Sequence, residues 1–146
     1  MVFILGALGA FAPLSIDMYL PALPAIGASL QADTTRVQWT LMAFFLALGL
    51  CQLAYGPASD AWGRKRPLYV GLGLFALGSI GCALAPDIHS LVVFRFIEGV
   101  GACAGMVIPR AIVRDLHTGA EATKLTGLLM LVFSVSPILA PLAGSF

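Results

Sequence analysis

The sequence predicts an all-α membrane protein with five spanning helices, on the strength of three observations. The chain of 146 residues is 60% apolar and only 10% charged, and its mean hydropathy is +0.97. A soluble domain carries about a quarter charged residues, because water must wet its surface. The apolar residues also fall into five stretches of about twenty, the length a helix needs to cross a bilayer core of about 30 Å.

The five stretches favour helices over a membrane β-barrel, because they are apolar on every side rather than at every second residue. In lipid only helices and closed barrels satisfy all backbone polar groups. The predicted helices cover residues 1–27, 36–58, 67–86, 89–110 and 124–146, each bound being approximate.

The first predicted helix carries one charge, Asp17, and Pro21 and Pro24 end or bend it. A polar loop leads to the second helix, which is free of charge. The charged stretch GPASDAWGRKRP, residues 56–67, then turns the chain into a third helix that is also free of charge.

The fourth predicted helix is apolar except for Arg95 and Glu98. It follows a tight turn at 86–89 and ends at a longer polar loop, 110–124. The fifth helix carries no charge. Because a charge at the bilayer centre is costly, the ionisable residues of the first and fourth helices are candidate functional residues.

The bases of the short loops predict the orientation of the helices. One side holds Arg64, Lys65, Arg66, Arg110, Arg114 and Lys124, and the other holds Arg36. Lys and Arg stay on the cytoplasmic side. We therefore expect a multi-pass protein of the cell (inner) membrane with a cytoplasmic N-terminus. Neither end has a flanking charge or cap, and we expect the chain to be part of a larger bundle.

Several other classes of protein are not indicated. Cys51, Cys82 and Cys103 lie in apolar runs without CxxC spacing or a carboxylate at ligand spacing, which is typical of small buried hydrophobes and predicts no metal site. His89 and His117 lie in loops, and no HExxH or GxSxG motif indicates an intramembrane enzyme. A net charge of +1 gives no reason to expect a nucleic acid partner, and nothing indicates a cofactor.

The stretch 56–66 resembles the signature G-x-L-[AS]-D-x-x-G-R-[KR] between helices two and three of the major facilitator superfamily, departing from it at Ala58. The resemblance implies a cytoplasmic gating motif, whose residues here are Gly56, Asp60, Gly63, Arg64 and Lys65. Gly56 and Gly63 would permit a short turn, Asp60 would face a helix N-terminus, and Arg64 would pair with an acid on a neighbouring helix. The alternative is a plain loop whose charges only set topology.

Further motifs resemble those of drug:proton antiporters, especially the bicyclomycin and chloramphenicol resistance (Bcr/CflA) subfamily. SIDMYLPALP at 15–24 resembles the first-helix motif, and RAIVRD at 110–115 the end of helix four. RFIEGVG at 95–101 resembles R-x-x-Q-G-x-G, with Glu98 in place of Gln. The stretch 136–145 resembles the antiporter motif of the fifth helix, which here includes Pro137, Pro141 and Gly144.

This resemblance implies the first five of twelve helices, within the N-terminal six-helix half of a major facilitator fold. It implies proton-coupled efflux of drug-like small molecules, with protons, the bilayer and the remaining helices as partners. The alternative is an uptake symporter or uniporter on the same fold. Asp17, with Pro141 and Gly144, favours exchange, and intramembrane charges argue against a purely structural bundle.

Asp17 and Arg95 fall at similar depth in the extracellular half of the first and fourth helices, so they could meet inside the bundle. A carboxylate between a dry environment and an arginine can switch protonation, which predicts a proton-coupling and substrate site. The alternatives are a static pair, or an aspartate that reaches interfacial water. Glu98 lies on the same helix face as Arg95 and either neutralises it or titrates itself.

Two further polar residues join this candidate site. Gln52, a lone amide in the second helix, either lines a cavity or bonds a neighbouring helix. Tyr19 is close enough to Asp17 to face a cavity, although its position is also typical of an aromatic belt at the membrane interface.

Overall fold

The computed structural model describes residues 2–144, and over these residues every regular element is helical. The elements are α1 (Val2–Tyr19), a 3₁₀ turn (Leu20–Ala22), α2 (Leu23–Ser29), α3 (Thr34–Trp62), α4 (Lys65–Leu84), α5 (Ile88–Leu116) and α6 (Ala120–Gly144). Five stretches are long and apolar enough to span a membrane, with α1 and α2 together forming the first. This confirms the predicted all-α membrane fold.

Helix α5 is the centre of the bundle. Within its most apolar stretch 56% is buried, against at most 28% in the other spans. It packs against α1, α3 and α4, while α6 packs mainly against α1. The inward-facing residues of α1, α3 and α4 therefore meet around α5, which carries both Arg95 and Glu98.

Three glycines of α5 allow this crowding, each toward a different neighbour. A Cβ on Gly99 would lie 2.6 Å from the carbonyl oxygen of Phe44 in α3, and one on Gly105 2.5 Å from that of Leu8 in α1. A Cβ on Gly101 would lie 2.7 Å from a backbone atom of α4. Small residues let helices approach closely in lipid, where no hydrophobic force drives helix association.

Two helices extend beyond their predicted ends. α3 continues to Trp62 rather than residue 58, and α5 continues to Leu116 rather than residue 110. The predicted ends marked the loss of apolar residues, whereas helical hydrogen bonding continues past the hydrocarbon into water. Gly56 consequently lies inside α3, and the turn belongs to Gly63, whose φ of +83° is one that glycine adopts readily.

The first span breaks where its prolines predict. α1 ends at Tyr19, Pro21 lies in the 3₁₀ turn, and Pro24 stands in the first turn of α2. Leu23 and other side chains of this segment pack on a cluster that includes Val37 of α3. The break therefore comes immediately after Tyr19, within the first-helix motif.

The start of α5 is capped by a side chain. An Asp87 carboxylate oxygen accepts a hydrogen bond from the Ser90 amide at 2.9 Å. This bond lowers the pKa of Asp87, because it stabilises the ionised carboxylate.

Candidate functional site

A buried ion pair lies in the middle of the bundle. Arg95 Nη1 is 2.7 Å from Glu98 Oε2, and the two side chains are only 3% and 7% exposed. The residues are three apart on α5, so they share one helix face. That face looks into the protein, which is where ionisable groups in membrane helices are found.

The Glu98 carboxylate also accepts hydrogen bonds from two other helices. Ser15 of α1 donates its hydroxyl to Oε1 at 2.8 Å, and Ser79 of α4 donates to the same oxygen at 3.2 Å. The Cys82 thiol of α4 lies 3.7 Å from Oε2. Cys82, predicted from the sequence to have no carboxylate near it, is therefore part of the site, and the carboxylate has partners on α1, α4 and α5.

Arg95 is less completely bonded than its partner. Its Nη1 also donates to the Ser15 hydroxyl at 3.1 Å, which makes Ser15 a bridge between both charged groups. The guanidinium lies over the Tyr19 ring, 3.7 Å from its centroid, and 4.8 Å from that of Phe44. Nε and Nη2 are buried and have no hydrogen-bond partner among residues 2–144. Arg95 thus keeps donors available for another acceptor.

Tyr19 is in contact with this cluster. Besides stacking on Arg95, its hydroxyl forms a short hydrogen bond with Thr40 of α3. Thr40 is fully buried and donates in turn to the Val37 carbonyl oxygen. Tyr19 therefore connects the buried pair to a fourth helix.

Asp17 is not brought together with Arg95. It is half-buried, and no ion pair joins it to Arg95 in the described part of the chain. Ser15 and Tyr19, four residues apart, lie on the face of α1 toward the pair, and Asp17 lies about 200° around the helix from Ser15. Two residues at similar depth can meet only if their side chains also lie on facing sides of their helices, and Asp17 lies on a different side of α1. Glu98 is therefore the carboxylate beside Arg95, where Asp17 was expected. The i, i+4 spacing of Ser15 and Tyr19 was the sequence signal available.

Gln52 lies apart from the buried pair. It is exposed and borders a cleft of about 410 Å³ with Arg110, Arg114 and Thr126 among the other lining residues.

A second arginine cluster lies at the turn between α3 and α4. Arg64 Nη2 is 2.7 Å from Asp60 Oδ1, and Arg64 Nε is 2.7 Å from Asp115 Oδ2. Nη2 also donates to Asp115 Oδ1 at 3.2 Å, so the pair is bidentate. The hydrogen bond to Asp115 raises the pKa of Arg64. Arg64 therefore joins the ends of α3 and α5, as its motif predicts for an acid on a neighbouring helix.

The remaining residues of the predicted gating motif take different positions. Ser59, which was not among the predicted site residues, accepts a hydrogen bond from Arg64 Nη1 and donates to the Gly56 carbonyl oxygen. Asp60 is in the last turn of α3, where its described partner is Arg64 rather than a helix N-terminus. Lys65 is exposed at the start of α4.

The described part of the predicted antiporter motif, residues 136–144, lies in α6. Pro137 is exposed, while Ser136 and Ala140, four residues apart, are buried. Pro141 and Gly144 lie outside the residues whose surroundings the structure describes.

A helical bundle with five candidate spans and an ion pair at its centre is a multi-pass membrane protein built around a polar interior site. The family model described as the Major Facilitator Superfamily matches residues 5–146, and the chain belongs to this family of transporters. The resemblance predicted from its motifs is thereby confirmed.

Three relatives illustrate the match. The chain is 48% identical over 144 residues to a Bacillus subtilis (strain 168) protein called an uncharacterized MFS-type transporter, YdgK, covering 99% of this chain and 36% of the relative. It is 34% identical to a chloramphenicol resistance protein of Pseudomonas aeruginosa, covering 99% of this chain and 35% of the relative. It is 31% identical to a bicyclomycin resistance protein homolog of Haemophilus influenzae, covering 97% of this chain and 36% of the relative. The chain thus spans about a third of the length of these relatives.

Proposed function

We propose that this chain is part of a secondary active transporter that exports drug-like small molecules in exchange for protons. Relatives named for chloramphenicol and bicyclomycin resistance support efflux, at modest identity. The observation that carries proton coupling is the buried Arg95–Glu98 pair, in which a titratable carboxylate and a partly unbonded cation share the protein interior.

Protonation of Glu98 would remove the negative charge that neutralises Arg95. With the carboxylate ionised, the pair is neutral as a whole. Once Glu98 is protonated, Arg95 is a buried charge without a counter-ion, and such a charge costs about 3–5 kcal/mol. A substrate acceptor atom or a change of conformation can relieve that cost. Proton binding and the state of the substrate site are thereby coupled.

The hydrogen bonds of Glu98 would carry this change to other helices. Ser15 belongs to α1, and Ser79 and Cys82 belong to α4. When the carboxylate becomes a carboxylic acid, one oxygen turns from acceptor into donor, so these partners must rearrange. We propose Asp17 as a second proton-coupling carboxylate, close to the break after Tyr19, and Gln52 as a residue of the substrate path.

The Arg64 cluster serves in this proposal as a cytoplasmic latch. Its charges are partly hydrated, and exposed ion pairs contribute only about 0–1 kcal/mol, so the latch can open in each cycle. The excess of Lys and Arg on the same side supports an inner-membrane protein whose N-terminus is cytoplasmic. The remaining helices of a twelve-helix fold would complete the substrate site, and Pro141 and Gly144 would belong to the exchange motif of α6.

The test uses the full-length protein in proteoliposomes, with chloramphenicol and bicyclomycin as probes. We expect efflux that collapses when the pH gradient is removed. Glu98→Gln and Asp17→Asn should each lower gradient-driven efflux by at least tenfold while the protein remains in the membrane. Glu121→Gln changes an exposed glutamate outside the site and is the matched control.

Gradient-driven efflux by Glu98→Gln at the wild-type rate would reduce Glu98 to a neutraliser of Arg95. Transport that is indifferent to the gradient would contradict antiport altogether. Probe accumulation in the direction of proton flow would indicate the alternative, an uptake symporter.

A further inference from the structure

An apolar groove separates α3 and α4 near the turn that joins them. Both helices pack mainly on α5 rather than on each other, although only Gly63 and Arg64 connect them. The space left between them is about 320 Å³, and Val100 of α5 is among the residues that line it. The groove is thus a consequence of the central position of α5.

The walls of the groove suit a hydrocarbon chain. Ala54 and Ala58, small residues one turn apart on α3, line it together with Val70 of α4. Val70 is 60% exposed although it is apolar. In the part of the protein that the structure describes, this apolar channel is open along helices long enough to span a membrane, so a lipid chain can enter it.

One end of the groove is positively charged. Arg66 lines it and, unlike Arg64, makes no ion pair or hydrogen bond within the described residues. The stretch 56–67 that joins α3 and α4, here called the hairpin, has three cations against one anion, Asp60. Arg64 is shared between Asp60 and Asp115 of α5, which leaves Lys65 and Arg66 as the hairpin's remaining cations. The Trp62 ring borders the same end and is 69% exposed, as expected of an amphipathic ring at headgroup level.

We propose that this groove binds an anionic phospholipid, with an acyl chain between α3 and α4 and the phosphate on Arg66. A cationic rim above an apolar channel complements an amphiphile with a negative head, and basic pockets between membrane helices bind such headgroups. The proposal does not depend on proton coupling or on drug export.

The experiment measures lipid retention by native mass spectrometry of the full-length protein, released from bilayers of equal phosphatidylglycerol and phosphatidylcholine. The wild type should retain phosphatidylglycerol preferentially. Arg66→Gln should lower that retention about tenfold, the size expected for loss of one charge-assisted hydrogen bond. Arg66→Lys should keep most of it. Lys65→Gln removes the neighbouring charge, which does not line the groove, and should change retention less than about twofold.

A second variant tests the groove rather than the charge. Ala58→Phe fills the channel while Arg66 remains, and it should abolish retention of both lipids. Equal losses for Arg66→Gln and Lys65→Gln would overturn the proposal in favour of diffuse attraction. Equal retention of the two lipids by the wild type, undiminished retention by Ala58→Phe, or no retained lipid at all would each overturn it as well.

Discussion

In the middle of the bundle Arg95 holds Glu98 at 2.7 Å with almost no exposure, whereas at the hairpin Arg64 holds Asp60 and Asp115 at the same distance in contact with water. The atoms and the contact distances are alike. The Arg64, Asp60 and Asp115 side chains are 21%, 65% and 50% exposed, while those of the buried pair are 3% and 7% exposed. The two clusters therefore differ in their surroundings rather than in their chemistry.

The surroundings decide what each cluster can do. In a dry interior, removing one partner leaves an uncompensated charge and costs about 3–5 kcal/mol. Protonation of the carboxylate therefore favours a new partner or a new position for the arginine. In water the same contact contributes about 0–1 kcal/mol and is weakened further by salt. The interior pair is suited to coupling, and the hairpin cluster to repeated opening.

The largest effect on stability is expected from variants that break the buried Arg95–Glu98 pair. Glu98→Ala should lower the free energy of unfolding by about 3–5 kcal/mol, because Arg95 is then buried without a counter-ion. The double variant Arg95→Met/Glu98→Leu should recover most of this loss, since no charge remains to be desolvated. Denaturant unfolding in detergent measures both. If the double variant lost as much stability as Arg95→Met and Glu98→Leu measured singly and added together, the coupling of these residues would be contradicted.

A smaller effect is expected from crowding the interior pair without changing its charges. A Cβ on Gly78 of α4 would lie 2.6 Å from the Glu98 amide nitrogen, and a backbone atom cannot move aside as a side chain can. Gly78→Ala should cost about 1–3 kcal/mol of unfolding free energy. Gly49→Ala, where an added Cβ meets nothing within 4 Å, should be neutral or stabilising by up to about 1 kcal/mol. Similar results for the two would mean that α4 does not hold Glu98 closely.

The hairpin cluster should respond weakly in stability and strongly in transport. Arg64→Gln should change the free energy of unfolding by less than about 1 kcal/mol, and the change should diminish in high salt. The turnover of the full-length transporter should fall, because the latch is lost. A salt series of unfolding curves for Arg64→Gln beside Glu98→Ala checks the contrast. Equal salt dependence of both variants would remove the distinction between wet and dry clusters.

The smallest expected effect concerns another carboxylate, Asp87, at the start of the helix that carries Glu98. Its pKa is lowered by the hydrogen bond from the Ser90 amide, so its contribution to stability is present above the unfolded pKa of about 3.9 and is lost as the pH falls through the folded value. The protection factor of the Ser90 amide against hydrogen exchange should therefore fall in acid more for the wild type than for Asp87→Asn, whose amide caps without titrating. An identical fall in the two proteins would contradict this role of the carboxylate.

Much of the fold and part of the site were predictable from local sequence. The spans follow from apolar length, the break after Tyr19 follows from Pro21 and Pro24, and the placement of Arg64 against an acid of another helix follows from its motif. The partners of Glu98 were not predictable in this way. Ser15, Ser79 and Cys82 are separated from it by 83, 19 and 16 residues, and ordinary small side chains carry no local signal of what they face.

The sequence by itself determined that lipid surrounds these helices and that the few ions among them must be accommodated inside. Hydropathy is a sum over neighbouring residues and needs no knowledge of the rest of the chain. Only the tertiary structure decided that Glu98, and not Asp17, meets Arg95. That choice depends on the rotation of α1 against α5, which is set by how glycines and side chains of several helices pack together, and no single helix contains that information.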